Sequence, residues 1–233
     1  MTEQTPDPSP TDPVSAADHW ERRYRDRGRT WSGNVNASLE REVTGLEREV
    51  EGFGPGAALD LGAGEGGDAL WLARRGWRVT AVDISPTALA AGAAQQRAGD
   101  EVEWVAADLA EWMPPRSYDL VAASFLHSTV ELPRERILRR GAEAVAAGGA
   151  LVIIGHAGVP HWATAEHAHA DGPDLPTPEQ VLASLFGPGS TLVRADWSVV
   201  TAGLVERVAT APDGSQGSIE DCVVTLRRDG GGR

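Results

Sequence analysis

The chain has 233 residues, of which 41% are hydrophobic, and its formal net charge is -13. This length is enough to bury one sizeable core, so we predict a single globular domain. The negative charge argues against nucleic acid and anionic membranes as partners, because both are bound through clustered Lys and Arg. A small-molecule substrate is therefore favoured.

No apolar run approaches the roughly 20 residues that a membrane-spanning helix needs, and the first residues are neither basic nor apolar. We therefore expect a soluble, cytoplasmic protein. Cys222 is the only cysteine and lies in an apolar run, which excludes an intramolecular disulfide and predicts a small buried side chain.

The N-terminal part of the chain is predicted to be helical after a short tail. Residues 1–13 carry four prolines among small and acidic residues, which is typical of a disordered tail. Apolar residues then recur at helical spacing over 16–27 and over 39–50. An aromatic and polar loop at 31–36 connects these two helices.

From residue 57 onward, short apolar runs alternate with helical stretches, which predicts βαβ units and a parallel sheet. The predicted strands cover 57–61, 78–82, 102–106, 118–123 and 150–154, and the predicted helices cover 68–75, 86–96, 134–146 and 178–185. Two β-rich stretches, 196–210 and 218–228, flank the turn at 212–214 and predict an antiparallel hairpin. The expected fold is a doubly wound α/β domain with a mostly parallel, seven-stranded sheet.

A glycine-rich turn follows the first strand. Gly62, Gly64 and Gly66 allow a tight turn and a close approach of a ligand, while the next helix offers free N–H groups to an anion. Gly62, Gly64 and Gly67 also fit the G-x-G-x-x-G spacing of dinucleotide enzymes. The glycines alone therefore leave open whether the ligand is NAD or another adenosine cofactor.

Acidic residues follow three of the predicted strands. Asp60 stands two residues before the first glycine, where dinucleotide folds usually have an apolar residue. Asp83 ends the second strand about 20 residues later, where an acid meets ribose hydroxyls in either kind of fold. Asp108, followed by Leu109, comes after the third strand. Each acid by itself could be a strand-end cap.

Two further segments, 118–127 and 148–153, follow these acids. Taken together, the segments resemble the motifs of class I S-adenosylmethionine-dependent methyltransferases in type and order. The resemblance implies that Asp60 faces the methionine ammonium, that Asp83 binds the ribose, and that Asp108 binds the adenine amino group. The full cofactor-binding set that we predict is Trp31, Asp60, Gly62, Gly64, Gly66, Asp83, Ile84, Asp108, Leu109 and Ser124.

Residues 19–24, 31–33 and 69–73, together with Asn36, resemble small bacterial methyltransferases related to tellurite-resistance and thiopurine or thiol methyltransferases. This implies methyl transfer to a small soft nucleophile such as a thiol or a chalcogen oxyanion. The single domain is predicted to cover 14–233. We expect it to consist of a helical lid at 14–50, a cofactor half at 51–154, and an acceptor loop and hairpin at 155–233.

Histidines mark the predicted acceptor side. His127, near the end of the fourth strand, and His156, after the fifth, are the candidate catalytic residues; the alternative for His127 is packing or helix capping. The loop after the fifth strand is rich in histidine. It supplies a candidate site for zinc, nickel or iron, with the ligands His156, His161, His167 and His169. Solvated or aromatic-stacked histidines are the alternative.

Other functions stay open at this point. They are an NAD-dependent oxidoreductase, a metal-assisted methyltransferase, an enzyme that cyclises or cleaves S-adenosylmethionine, and a non-catalytic regulator that binds S-adenosylmethionine or a metal. Asp60 and Asp108 argue against the oxidoreductase, and product analysis separates the others.

Overall fold

The structure is a computed structural model that describes residues 15–27, 33–158, 175–210, 214 and 216–230. The predicted tail therefore lies outside the described residues. No helix in the described part of the chain is long and apolar enough to cross a membrane.

The described residues form six α-helices and seven strands. The helices are α1 Ala16–Arg27, α2 Ala37–Glu49, α3 Gly67–Arg74, α4 Pro86–Ala93, α5 Arg134–Glu143 and α6 Pro178–Phe186. The strands are β1 Ala57–Leu61, β2 Arg78–Asp83, β3 Val102–Ala106, β4 Tyr118–Ser124, β5 Val145–His156, β6 Trp197–Thr210 and β7 Gln216–Arg228. A single 3₁₀ turn, Arg194–Asp196, precedes β6.

One sheet contains all seven strands, in the order β3-β2-β1-β4-β5-β7-β6. The first five strands pair in parallel, β7 pairs antiparallel with β5, and β6 pairs antiparallel with β7. This confirms the predicted α/β fold with its C-terminal hairpin. Because β1 to β5 are parallel, their carboxyl ends meet at one edge of the sheet, which is where such folds bind ligands.

Both faces of the sheet are covered, so its central strands are apolar on both sides. On one face Ala58 and Leu120 pack with α2 and α3. On the other, Leu59 and Val121 pack with α5 and α6, and this core includes Cys222, which is buried as predicted.

The α5–β5 junction differs from the prediction. The helix ends at Glu143 and the strand begins at Val145 instead of 150, because Val145 pairs with Tyr118 of β4. The register then shifts along β4, and Gly148 has a φ of 81°. Gly148 and Gly149, which lie between the predicted helix and the predicted strand, are therefore inside β5, at an irregularity in its pairing.

The start of α2 is fixed by a strong N-cap. The side chain of Asn36 accepts hydrogen bonds from the backbone N–H groups of Ser38 and Leu39, at 2.8 and 3.0 Å. Such a cap stabilises a helix by about 1 kcal/mol. It also holds the first turn of α2 against the carboxyl edge of the sheet.

Candidate active site

The turn after β1 needs its glycines. Gly62, Gly64 and Gly66 have φ values of 78°, 53° and 75°, a region that other residues rarely adopt. The Gly62 N–H donates to Val82 O at 2.9 Å. At Gly66 a side chain would also overlap the indole ring of Trp104. The turn is therefore folded tightly back against β2 and β3.

Asp60, the acid before this turn, has an unusual environment. It is only 2% exposed, and its buried Oδ2 has no hydrogen-bond partner among the described residues. Burial raises the pKa of Asp60 well above its usual value, and the charges of Asp68 and Asp83 raise it further. A cation placed beside Oδ2 would satisfy this oxygen and relieve the repulsion. The residues thus fit the ammonium group that the sequence motifs implied.

Asp68 is a second carboxylate at this point, and the sequence analysis assigned it only to the start of a helix. It lies in the first turn of α3, and its Oδ1 accepts from the Asn36 N–H at 2.7 Å. Burial raises the pKa of Asp68, although the hydrogen bond from the Asn36 N–H and the nearby Ser124 hydroxyl, at the end of β4, lower it. Asp68 therefore connects the start of α2 to the glycine turn.

Asp83, at the end of β2, is fixed by two backbone donors. Its Oδ2 accepts from the Gly64 N–H at 2.8 Å, and its Oδ1 accepts from the Ser85 N–H at 2.9 Å. Burial raises its pKa, while hydrogen bonds from Ser85, Gly64 and Ile84 oppose the rise. Ile84, the next residue along the chain after Asp83, is half-buried. This carboxylate ties the end of β2 to the glycine turn.

Asp108 and Leu109 lie at the same edge, after β3. Asp108 is exposed, and its Oδ1 accepts from the Ala110 N–H at 2.8 Å, so it caps its own turn. Leu109 is 7% exposed and packs in the core on the α5 face. The structure thus brings the predicted acids to one edge of the sheet.

Helix α1 reaches across this edge. The Glu21 carboxylate accepts from Ser85 Oγ at 2.6 Å and from both the N–H and the hydroxyl of Thr87, and these bonds lower its pKa to about 2. The preceding residue is Trp20, whose Nε1 donates to Ser128 Oγ at 3.2 Å. The helix therefore contacts the loop after β2 and the loop after β4 at the same time.

The two candidate catalytic histidines meet at the ends of β4 and β5. The His127 and His156 rings lie 5.7 Å apart and nearly parallel, and His127 Nε2 accepts from the His156 N–H at a long 3.4 Å. Phe125 stacks on His156 at 4.3 Å and has a positive φ of 52°, which is rare for a phenylalanine. The strained residue thus positions an aromatic ring at the end of β4.

Both imidazoles favour the neutral form. Burial lowers the pKa of His127 to about 4, and the positive charges of Arg134 and His156 contribute. Burial also lowers the pKa of His156, where Asp221 opposes the shift and Arg207 adds to it. Both rings are consequently uncharged at neutral pH, and His127 is a weak base.

An ion pair that no sequence motif predicts lies beside this histidine pair. The fully buried Asp221 accepts from Arg207 Nε at 2.7 Å and from Ser38 Oγ at 2.8 Å. The Arg207 guanidinium lies 5.6 Å above the Phe125 ring. The start of α2 therefore contacts two carboxylates: Asp221 through the Ser38 hydroxyl, and Asp68 through the Asn36 N–H.

Four of the predicted site residues, namely Trp31, His161, His167 and His169, lie outside the described residues. Of the predicted metal ligands, only His156 is described. Within the described ranges no three His, Cys, Asp or Glu side chains form a group that could hold a metal ion. The metal site stays a prediction.

Comparison with known proteins agrees with this geometry. Residues 58–149 match a family model described as a methyltransferase domain. No curated protein matches the sequence. Among solved structures, one described as "Conversion of a Disulfide Bond into a Thioacetal Group during Echinomycin Biosynthesis" is 23% identical, with a TM-score of 0.63 over 93% of this chain and 94% of that one.

Two further structures have the same fold. The N-methyltransferase NodS from Bradyrhizobium japonicum WM9, in complex with S-adenosyl-L-homocysteine, is 16% identical, with a TM-score of 0.63 over 92% of this chain and 99% of its own. TehB from Haemophilus influenzae is 16% identical, with a TM-score of 0.58 over 90% of this chain and 66% of its own.

The seven-stranded sheet has the fold of the class I S-adenosylmethionine-dependent methyltransferases, as the sequence motifs predicted. Residues 58–149, which match the methyltransferase domain model, run from β1 to the first part of β5 and include the glycine turn.

Proposed function

We propose that this enzyme transfers the methyl group of S-adenosylmethionine to a small soft nucleophile, either a thiol or a chalcogen oxyanion. The observation that carries the proposal is the state of His127. This imidazole is the candidate base at the end of β4, and its pKa of about 4 makes it a poor proton acceptor. An acceptor that is already anionic needs no such base.

The cofactor is proposed to lie along the carboxyl edge, held by the residues that the motifs predicted. The unpartnered Oδ2 of Asp60 would accept from the methionine ammonium, and the positive-φ turn lets the backbone approach the ligand closely. Asp83 with Ile84 would face the ribose, and Asp108 with Leu109 the adenine. Trp31, Gly62, Gly64, Gly66 and Ser124 complete the proposed set.

Helix α1 is proposed to be a lid over the cofactor. Its contacts with Ser85 and Ser128, on opposite sides of β1, support this role. A lid excludes water from the reacting groups and holds the acceptor in line with the methyl group. Residues 14–50 would then belong to the binding site as well as to the fold.

The methyl transfer itself is a single displacement. The acceptor's lone pair forms a bond to the methyl carbon, and the carbon–sulfur bond of the sulfonium breaks, so that its electrons stay on S-adenosylhomocysteine. A thiol has an ordinary pKa near 8.5, so part of it is ionised at neutral pH and attacks as the thiolate. His127 and His156 are proposed to form a neutral wall that orients the acceptor.

The similarity to the structure associated with thioacetal formation supports a sulfur acceptor, because that conversion takes place at sulfur. NodS, in contrast, is an N-methyltransferase, which makes an amine the competing acceptor. The fold is common to both, so the acceptor has to be determined by assay.

The test is release of S-adenosylhomocysteine from purified enzyme with matched acceptors: small thiols, selenite and tellurite against phenols and amines of similar size. We expect turnover with the first group and a methylated product of the corresponding mass. Turnover of amines or phenols with inert thiols would contradict the proposal. Methylthioadenosine as the product would indicate cleavage of the donor, and binding without any product would indicate a regulator.

The predicted metal site has its own test. If His156 and the loop histidines His161, His167 and His169 bind zinc, nickel or iron, untagged protein will contain the metal in stoichiometric amount. Chelation will then remove both the metal and the activity. Full activity of metal-free protein would exclude a metal-assisted reaction.

A further inference from the structure

Arg134 is a basic residue at the acceptor end of the sheet that neither the motifs nor the fold explains. It is the first residue of α5, and it is half-buried directly beyond the segment that carries His127. Its Nε donates to the backbone carbonyl of Leu126 at 3.0 Å, which holds the side chain against the end of β4. The guanidinium is therefore positioned by the same loop that carries His127.

This guanidinium has no carboxylate within ion-pair distance among the residues that the structure describes. Burial lowers the pKa of Arg134, and the charges of Cys222 and Glu135 only partly oppose the shift. Two nearby arginines differ in this respect. Arg207, at the same end of the sheet, is neutralised by Asp221, and Arg139, on the same helix, lies 3.9 Å from Glu135. A half-buried charge is costly unless an anion accompanies it.

Cys222 and Glu135 are two ionisable side chains near Arg134. Burial raises the pKa of the Cys222 thiol, which favours its neutral form, and the Glu135 carboxylate is not within ion-pair distance of Arg134. In addition, Pro133, the N-cap residue of α5, provides no side-chain cap, so the N-terminal end of the helix dipole adds to the positive potential. The result is a locally positive site on a chain whose net charge is -13.

We propose that Arg134 binds an anionic group of the methyl acceptor, so that the preferred acceptors are small anions, either thiols that carry a carboxylate or the chalcogen oxyanions themselves. This inference rests on the proposed function, because it assigns the charge of the acceptor at that site. A guanidinium pairs with a carboxylate or oxyanion through two parallel hydrogen bonds, which provides orientation as well as attraction. Arg134 thus becomes a specificity-determining residue beside the neutral histidine pair.

The test compares thiols that differ only in charge. The pairs are mercaptoacetate against 2-mercaptoethanol, and 2-mercaptobenzoate against 2-mercaptobenzyl alcohol. The enzymes are wild type, Arg134→Gln, Arg134→Lys, and Arg136→Gln as the control. Arg136 lies on the same helix, is exposed, and contacts Ala110 O and Glu111 instead of the site. Two quantities are measured: kcat/KM for methyl transfer, and the affinity of each thiol for the complex with S-adenosylhomocysteine.

We expect wild type and Arg136→Gln to prefer the anionic member of each pair at least tenfold, as a charge-assisted hydrogen bond predicts. Arg134→Gln should remove this preference and leave the neutral thiols within about threefold, whereas Arg134→Lys should retain part of it. Equal affinity of wild type for both members of each pair would overturn the inference, as would a preference that persists in Arg134→Gln.

The binding measurement separates the two proposals. If the thiols bind with the expected charge preference but no methyl group is transferred, the proposed thiol acceptor is wrong and the anion site at Arg134 stands. If neutral thiols are methylated as efficiently as the anionic ones, the proposed function stands and the role of Arg134 is wrong.

Discussion

Replacing Asp60 with Asn should weaken cofactor binding without weakening the fold, because the two depend on this carboxylate in opposite ways. In the proposed complex, Oδ2 accepts a hydrogen bond from the methionine ammonium. Such charged hydrogen bonds contribute about 1.5–3 kcal/mol, which corresponds to a loss of roughly 10- to 150-fold in affinity for S-adenosylmethionine. Isothermal titration calorimetry measures this directly.

The stability of the ligand-free protein should not fall. Asp60 is buried beside Asp68 and Asp83, with one oxygen unpartnered, so its ionised form is unfavourable. An amide removes the repulsion and can donate to a neighbouring carboxylate. Because the folded-state pKa is raised above the unfolded value, the cost of ionisation is absent in acid and grows as the pH rises through the folded-state pKa. The variant's advantage in unfolding free energy should grow with pH in the same way.

The control is Asp119→Asn. Asp119 lies at the opposite, amino-terminal edge of the sheet, where its Oδ2 accepts from the Ala57 N–H at 2.8 Å, and an amide oxygen can keep this bond. Cofactor affinity should stay within about twofold. A change below threefold in Asp60→Asn, or an equal loss in Asp119→Asn, would refute the assigned role of Asp60.

Three further outcomes follow from other parts of the structure. Glu21→Gln should speed amide hydrogen exchange in α1 but not in the core, because the bonds to Ser85 and Thr87 weaken. The pKa of Glu21 in the folded protein is about 2, below the ordinary 4.5, so the docking of α1 should be complete above pH 4.5 and weaken toward pH 2. Gly66→Ala should lower the unfolding free energy in urea by more than the ~1–2 kcal/mol of left-handed backbone strain, because the added Cβ would overlap Trp104. The control is Gly99→Ala: Gly99 also has a positive φ, but an added Cβ would meet open space, so this variant measures the backbone strain alone. His127 should titrate near pH 4 by NMR instead of near pH 6.5. Because the folded protein holds this imidazole in its neutral form, its contribution to the unfolding free energy should be complete above pH 6.5 and decline as the pH falls through 4. A change of slope in kcat near pH 6.5 that His127→Gln abolishes would contradict the weak basicity of His127.

The order of helices and strands could be predicted well from the sequence, because it depends on local residue patterns. Apolar runs of strand length alternate with helical spacing, and a strand, a glycine turn and a helix follow each other within a few residues. The acids after β1, β2 and β3 could be placed together because parallel strands end at the same edge. The junction at Val145 was less predictable, since its strand state depends on pairing with Tyr118 of a different element.

The sequence by itself thus determined the fold class, the position of the cofactor turn and the kind of donor. Tertiary structure alone decided which other side chains share the site. Ser38 and Asp221 are 183 residues apart, yet they meet in one hydrogen bond, and the charge state of His127 depends on burial and on Arg134. Periodicity and turn chemistry act over a few residues, whereas burial and charge pairing depend on which elements pack together. Only the packed structure therefore shows that both candidate histidines favour the neutral form, that Arg207 pairs with Asp221, and that Arg134 has no ion-pair partner among the described residues.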